Sequence, residues 1–286
     1  MKLYGLIGAG IQDSGSPALF KAAYGGRFRY DLLDGPDFAP LFEKFKKEYQ
    51  AVNVTAPFKE QAMAKADQCT EAASLCGAAN MLIKQPDGRI LADNSDFEGV
   101  TMSIMSAYAI ANEDLDVSDE DAFTDYLADK TALVVGCGGA GKAAAAAAVT
   151  LGYGTTILMN RDRNRAEELN RHIRKFYDDL GKDELTVMDI SDFTAAFRQA
   201  DIVIYTIPEA IDAINAEGFA GAVTDSGFGK SKIVFEANYK TPCLEFLKDR
   251  CNYLSGFNWL LNQAIVSYEV FTASEPDEEA MKKILR

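Results

Sequence analysis

"TALVVGCGGAGKAAAAAAVTLG", residues 131–152, decides how this chain is read. An apolar run passes into a glycine cluster, which opens at once into an alanine-rich stretch. A buried strand, a tight turn and a helix explain the three parts in order. Gly136, Gly138 and Gly141 stand in G-x-G-x-x-G spacing between that strand and that helix. Gly136 permits the turn, Gly138 lets backbone approach a pyrophosphate, and Gly141 lets helix and strand pack closely. The unpaired N–H groups of the helix start then face the phosphates. The stretch predicts a dinucleotide-binding unit.

The following strand ends in "MNRDRNRAEEL", residues 159–169. An NAD site usually places an acid here, for the ribose 2′-hydroxyl. In this chain Asn160 and Arg161 come first and Asp162 after them. A guanidinium matches a 2′-phosphate in charge and shape, which favours NADP over NAD. Asp162 also reads as a helix N-cap or as a ribose contact, and the latter keeps NAD open. An earlier run, "GLIGAGIQD" (5–13), has its glycines in the reverse order, and "SGSP" interrupts the helix start. It is not read as a nucleotide loop; two hydroxyls, Ser14 and Ser16, cluster there instead.

Outward from the glycine loop, strand and helix patterns alternate in both directions. From the N-terminus come "KLYGLIG" (strand), "SPALFKAAYGG" (helix, Ser16 as N-cap and Pro17 first), "FRYDLLD" (strand) and "DFAPLFEKFKKEYQ" (helix). "AVNVTAP" is a strand, "KEQAMAKADQCTEAASLC" one helical stretch, and "AANMLIKQPDGRILADN" a hairpin. The spacing predicts a helix over 96–110 that bridges two domains. After 131 the alternation resumes, and a last helix in "FNWLLNQAIVSYEVFTASEP" returns to the first domain. Such alternation implies mostly parallel sheets covered by helices. The expected fold is α/β in two domains. An N-terminal α/β substrate domain takes in 1–100 plus 255–286, and a Rossmann-like domain takes in 101–254. The site is expected in the crevice where strand C-termini converge.

The segment 112–130 holds eight acids and one lysine. Its spacing faintly follows a calcium loop, but Asp119 stands where the turn glycine belongs. It reads as a solvated insertion.

Composition removes several classes. A net charge of −14 disfavours nucleic acid and anionic membranes as partners, and any anionic small-molecule ligand must be held by local basic groups. The five cysteines show no C-x-x-C spacing, which fits a reducing cytoplasm and argues against zinc; no metal site is expected. His172, the one histidine, lies in a strongly charged helix and reads as a surface or half-buried residue. No apolar run approaches the roughly 18 residues of a membrane span. "MKLYGLIGAG" reads as a first strand rather than a signal peptide.

Several ordered motifs together resemble the shikimate/quinate dehydrogenase family. "DSGSPALF" resembles H-S-x-S-P, "NVTAPFKE" matches N-V-T-x-P-F-K-E, and "GAAN" is similar to G-A-x-N. "DNSDFEG" resembles x-N-T-D-G-x-G, and "GCGGAGKAA" resembles G-x-G-G-A-x-x-A. "NRD" stands where N-R-T is usual, while "ANYKTPCL" and "GFNWLLNQA" resemble the later Tyr- and Gln-containing segments. The resemblance implies Lys59 and Asp96 as catalytic residues. It implies Ser14, Ser16, Thr55, Asn80, Tyr239 and Gln263 as substrate contacts. For the cofactor it implies Gly136, Gly138, Gly139, Ala140, Gly141, Asn160, Arg161 and Thr206.

The activity implied is reversible NADPH-dependent reduction of 3-dehydroshikimate to shikimate, in aromatic amino acid biosynthesis. Quinate or another hydroxy acid is the alternative substrate, with NAD or NADP. A nucleotide-binding regulatory protein without catalysis is the alternative of another class. The chain departs from the family pattern at Asp13 (usually His), Phe97 (usually Gly), Trp259 (usually Met) and Glu236 (usually Asp). Its Tyr-containing segment is also shorter than usual. Asp13 puts a negative charge beside a carboxylate-binding motif, so the departures bear on substrate more than on reaction type. Phe97 and Trp259 read as core or wall residues.

Overall fold

The computed structural model describes residues 2–285 except 178, 179, 182, 217, 220 and 222–231. It separates into two compact units, Met1–Gly99 with Leu260–Arg286, and Val100–Trp259. Both boundaries fall inside helices, Ser95–Ala111 and Gly256–Thr272.

In the first unit the strands are β1 (Leu3–Gly8), β2 (Arg29–Asp34), β3 (Ala51–Val54), β4 (Gln68–Cys69), β5 (Met81–Lys84) and β6 (Ile90–Asp93). They form a sheet of order β2-β1-β3-β5-β6-β4. β1 is parallel to β2 and β3, and β5 is antiparallel to both β3 and β6. The antiparallel strand has a consequence for the site. Asn53 pairs with Met81, and Met81 with Asp93. The start of β5 therefore lies at the same sheet edge as the ends of β3 and β6, and the segments 55–59, 78–80 and 94–96 all leave from that edge. Phe38, Phe42 and Phe45 of helix Phe38–Glu48 follow helical spacing and are buried with Val52, Val54 and Phe58. Truncating a fully buried phenylalanine such as Phe45 to alanine costs about 3–5 kcal/mol.

The second unit carries β7 (Thr131–Val135), β8 (Thr155–Met159), β9 (Leu185–Val187), β10 (Ile202–Tyr205), β11 (Ile233–Glu236) and β12 (Asn252–Ser255). Their order is β12-β11-β10-β7-β8-β9, with every pairing parallel. This is the doubly wound arrangement that the glycine loop predicts. β10 and β11 are buried along their whole length, as strands covered on both faces must be. Helix Gly139–Thr150 lies against the sheet on an unbroken run of buried alanines, Ala143 to Ala148. No described helix is long and apolar enough to cross a membrane.

Three expectations are corrected. The stretch 59–76 is not one helix but two, Lys59–Lys65 and Glu71–Cys76, with β4 between them. β4 pairs with β6, Asp67 exchanges hydrogen bonds with Ile90, and the Thr70 hydroxyl accepts from Ala73 N–H to start the second helix. Nonlocal pairing overrode a helical pattern here, although Thr70-Glu71 was a readable N-cap signal. Ser16 is not an N-cap: Gly15 holds that place and Ser16 is the first helical residue. The acidic segment is not merely solvated. Asp119 caps a helix, Glu120–Leu127, that buries Phe123 and Leu127.

Candidate active site

β3 is buried throughout and ends at Val54. Pro57 follows in a cis peptide. Phe58 then drops into the core against Phe38, ring centroids 5.6 Å apart, and so fixes the start of helix Lys59–Lys65. The Lys59 carbonyl accepts from Ala79 N–H at 3.0 Å. With its backbone held on both sides, the Lys59 side chain turns to Asp96 and its Nζ donates to Oδ2. The two side chains are only 15% and 12% exposed.

Asp96 sits in the first turn of helix Ser95–Ala111, not at its cap. Asn94, fully buried, takes the capping position: its Oδ1 accepts from Asp96 N–H at 3.1 Å and its Nδ2 donates to the Ala78 carbonyl. That leaves the Asp96 carboxylate for the ammonium. Attraction between such charges must offset their desolvation, and removing one partner strands the other. Sequence reasoning overlooked Asn94, though an Asn before a helix start is a capping signal.

Asn80 is buried against Ser95, accepting from its N–H (2.8 Å) and donating to its hydroxyl (3.0 Å). Asn80 Nδ2 also meets Gln263 Oε1 at 3.5 Å, while Gln263 Nε2 donates to the Leu260 carbonyl. Helix Ser95–Ala111 comes this close because Gly99 has no side chain: a Cβ there would stand 2.7 Å from the Gln263 nitrogen. Lys59, Asp96, Asn80 and Gln263 thus gather around one turn, 94–96. Asn53 is fixed beside them, accepting from Tyr30 Oη at 2.8 Å.

After β1 the loop is held by Asp34, whose carboxylate accepts from Gly10 N–H at 2.7 Å and Ile11 N–H at 3.3 Å. Ser14 and Ser16 follow, half-buried, with hydroxyls 3.1 Å apart. Thr55 donates its N–H to the Ile7 carbonyl, and its hydroxyl makes no hydrogen bond among the described residues. Asp13 is exposed.

In the second unit Gly136 adopts φ +103°, and a Cβ there would strike Thr206 Oγ1 at 2.4 Å. A Cβ on Gly141 would stand 1.9 Å from the Gly136 carbonyl oxygen. Around Gly138 nothing lies within 4 Å of a Cβ position. Gly138 is also the N-cap of helix Gly139–Thr150, so no side chain of the cap residue occupies the first N–H groups of the helix. Ala140 follows in that first turn. This cradle fits a dinucleotide pyrophosphate.

Asn160 and Thr206 brace the loop. Asn160 Oδ1 accepts from Cys137 N–H at 3.1 Å, and the Thr206 hydroxyl donates to the Val135 carbonyl at 2.9 Å. Burial pushes the Cys137 thiol up to about 12, which leaves it inert inside the loop. Asp162 caps helix Arg163–Ile173, its Oδ1 accepting from Asn164 N–H. Arg161 is exposed and 3.6 Å from Glu209. Tyr239 packs against Phe257 with the rings tilted by 38° and their centroids 4.9 Å apart, and Trp259 is buried against Phe235. His172 packs beside Phe176 on its helix.

Residues 6–82 match the family model described as the shikimate dehydrogenase substrate binding domain, and residues 120–235 match shikimate / quinate 5-dehydrogenase. A shikimate dehydrogenase (NADP(+)) of Dinoroseobacter shibae is 30% identical, over 96% of this chain and 92% of that one. Another, from Colwellia psychrerythraea, is 28% identical over 99% and 96%. In fold, the chain resembles quinate dehydrogenase from Corynebacterium glutamicum, solved with NAD, at TM-score 0.79 and 24% identity over 99% and 98% of the two chains. With the sequence match running through both units, the chain belongs to the shikimate/quinate dehydrogenase family.

Proposed function

We propose that this chain is an NADP-dependent shikimate dehydrogenase, reducing 3-dehydroshikimate reversibly to shikimate. As a member of its family it is an oxidoreductase acting on a CH–OH group. The observation that carries the assignment is the nearly buried Lys59–Asp96 pair at the sheet edge where Asn80 and Gln263 also gather.

Bound at the glycine cradle, the reduced nucleotide supplies the hydride. The chain must then manage charge and protons at the ketone. As negative charge grows on the carbonyl oxygen, Lys59 Nζ stabilises it and delivers a proton. Asp96, paired with the ammonium, aims it. The clustered hydroxyls of Ser14 and Ser16, with the uncommitted hydroxyl of Thr55, are donors suited to a substrate carboxylate. Asn80 and Gln263 offer amide groups to ring hydroxyls, and Tyr239 offers a phenol. Asn160 and Thr206 hold the nucleotide loop in shape.

NADP is assigned over NAD because Asp162 gives an oxygen to its helix cap while the Arg161 guanidinium, suited to a 2′-phosphate, stays exposed. The five cysteines are free, and we infer a reducing, cytoplasmic setting. Assays of shikimate and quinate with each nucleotide test the assignment. Shikimate with NADP⁺ gives the highest kcat/KM; no turnover of that pair would sink it.

A further inference from the structure

Glu236 ends β11 and is completely buried. Its Oε1 accepts from Cys243 N–H at 2.6 Å. Its Oε2 accepts from Leu244 N–H at 3.0 Å and from Tyr253 Oη at 2.8 Å. All three donors are neutral. A buried carboxylate is costly unless its hydrogen bonds are made, and here the bonds close a loop. The strand end grips the chain seven and eight residues later, so 237–242 is pinned at both ends by one side chain.

Tyr239 rides on that loop. Asn238 shapes the turn beneath it, donating to the Thr241 carbonyl and to the Pro208 carbonyl, both at 2.8 Å. From the other side, β12 hands over to Gly256, where a Cβ would stand 2.2 Å from the Ala237 carbonyl oxygen. Only glycine passes so close, and the passage brings Phe257 against the Tyr239 ring. The ring is thus located by three independent constraints. Its hydroxyl makes no hydrogen bond among the described residues.

We propose that Glu236 is a positioning residue for substrate recognition: its carboxylate sets where the Tyr239 hydroxyl stands. The proposal rests on the reading of Tyr239 as a substrate contact. Glu236→Asp withdraws the carboxylate by one methylene from all three donors. It raises KM for shikimate about tenfold, the scale of one good hydrogen bond, and leaves KM for NADP⁺ unchanged. Its kcat moves by less than about twofold, the mark of lost binding rather than lost chemistry. Glu236→Gln keeps the length, and its carbonyl oxygen still accepts from Leu244 N–H and Tyr253 Oη while its NH2 replaces the acceptor of Cys243 N–H; it gives a smaller rise. Tyr239→Phe raises KM on its own, and the double variant Glu236→Asp/Tyr239→Phe is no worse than Tyr239→Phe, because both changes remove one interaction.

If Tyr239→Phe raises KM and Glu236→Asp does not, Glu236 is only a fold latch and the proposal is overturned. A Glu236→Asp protein whose kcat, both KM values and melting midpoint worsen together also overturns it. An unaffected Tyr239→Phe enzyme overturns the Tyr239 reading and this proposal with it, while the reading of Lys59 stands.

Discussion

Asn94 Oδ1 accepts the backbone N–H of Asp96 at 3.1 Å, and the Asp96 carboxylate accepts from Lys59 Nζ. Without the Asn94 bond Asp96 would itself be the natural cap of the helix. The cap and the ion pair are therefore one arrangement.

Lys59→Ala is expected to lower kcat at least about 10²-fold, the lower end for a general acid. Asp96→Asn also lowers kcat and, in addition, leaves an ammonium nearly buried without its counter-charge. Thermal melts are expected to show Lys59→Met/Asp96→Asn more stable than Asp96→Asn alone, since removing both charges removes the stranded one. Equal melting midpoints would mean that water reaches the pair freely.

Arg161→Ala is expected to raise KM for NADP⁺ by about 10- to 100-fold, the range of a charge-assisted contact to phosphate. KM for NAD⁺ should stay within about threefold, because NAD⁺ lacks the 2′-phosphate. The present Arg161–Glu209 pair is exposed on both sides and worth at most about 1 kcal/mol, so Arg161 gives up little to reach a ligand. Initial rates with the two nucleotides measure the ratio; an unchanged ratio would place 2′-phosphate recognition elsewhere.

The second sheet was legible in the sequence because its signals are local: β7, the glycine turn and the alanine helix are contiguous. The motif that carries Lys59 is contiguous too. What could not be read depends on contacts far apart in the chain. β4 exists only because β6 pairs with it, so helical spacing over 59–76 misled. Asn160 and Thr206 brace the nucleotide loop through side-chain bonds to partners 23 and 71 residues away. The cluster of Asn80 with Gln263 joins residues 183 apart, across a contact that Gly99 permits. Spacing in sequence carries no trace of such distances.

Asp13 is exposed beside the Ser14–Ser16 pair, and it makes no hydrogen bond among the described residues. A carboxylate there repels an anionic substrate through water. Asp13→Asn is therefore expected to lower KM for shikimate about two- to fivefold at low salt, with the effect shrinking as salt screens it. A KM that rises instead would mark Asp13 as a substrate contact.

Glu98 supplies a pH test of stability. It lies two residues beyond Asp96, and its Oε2 is buried without a hydrogen-bond partner among the described residues. Burial, reinforced by the Asp93 and Asp96 carboxylates, pushes its pKa up from 4.5 to about 7. Between those values the folded chain holds a proton that the unfolded chain has lost. Its contribution to stability is thus fully present below 4.5 and is lost as pH rises through about 7. Glu98→Gln has no such proton to lose. Melts of the two proteins at pH 5 and pH 8 should show the variant gaining on the parent, and overtaking it at the higher pH. A constant difference across that range would show that Glu98 titrates as an ordinary solvated carboxylate.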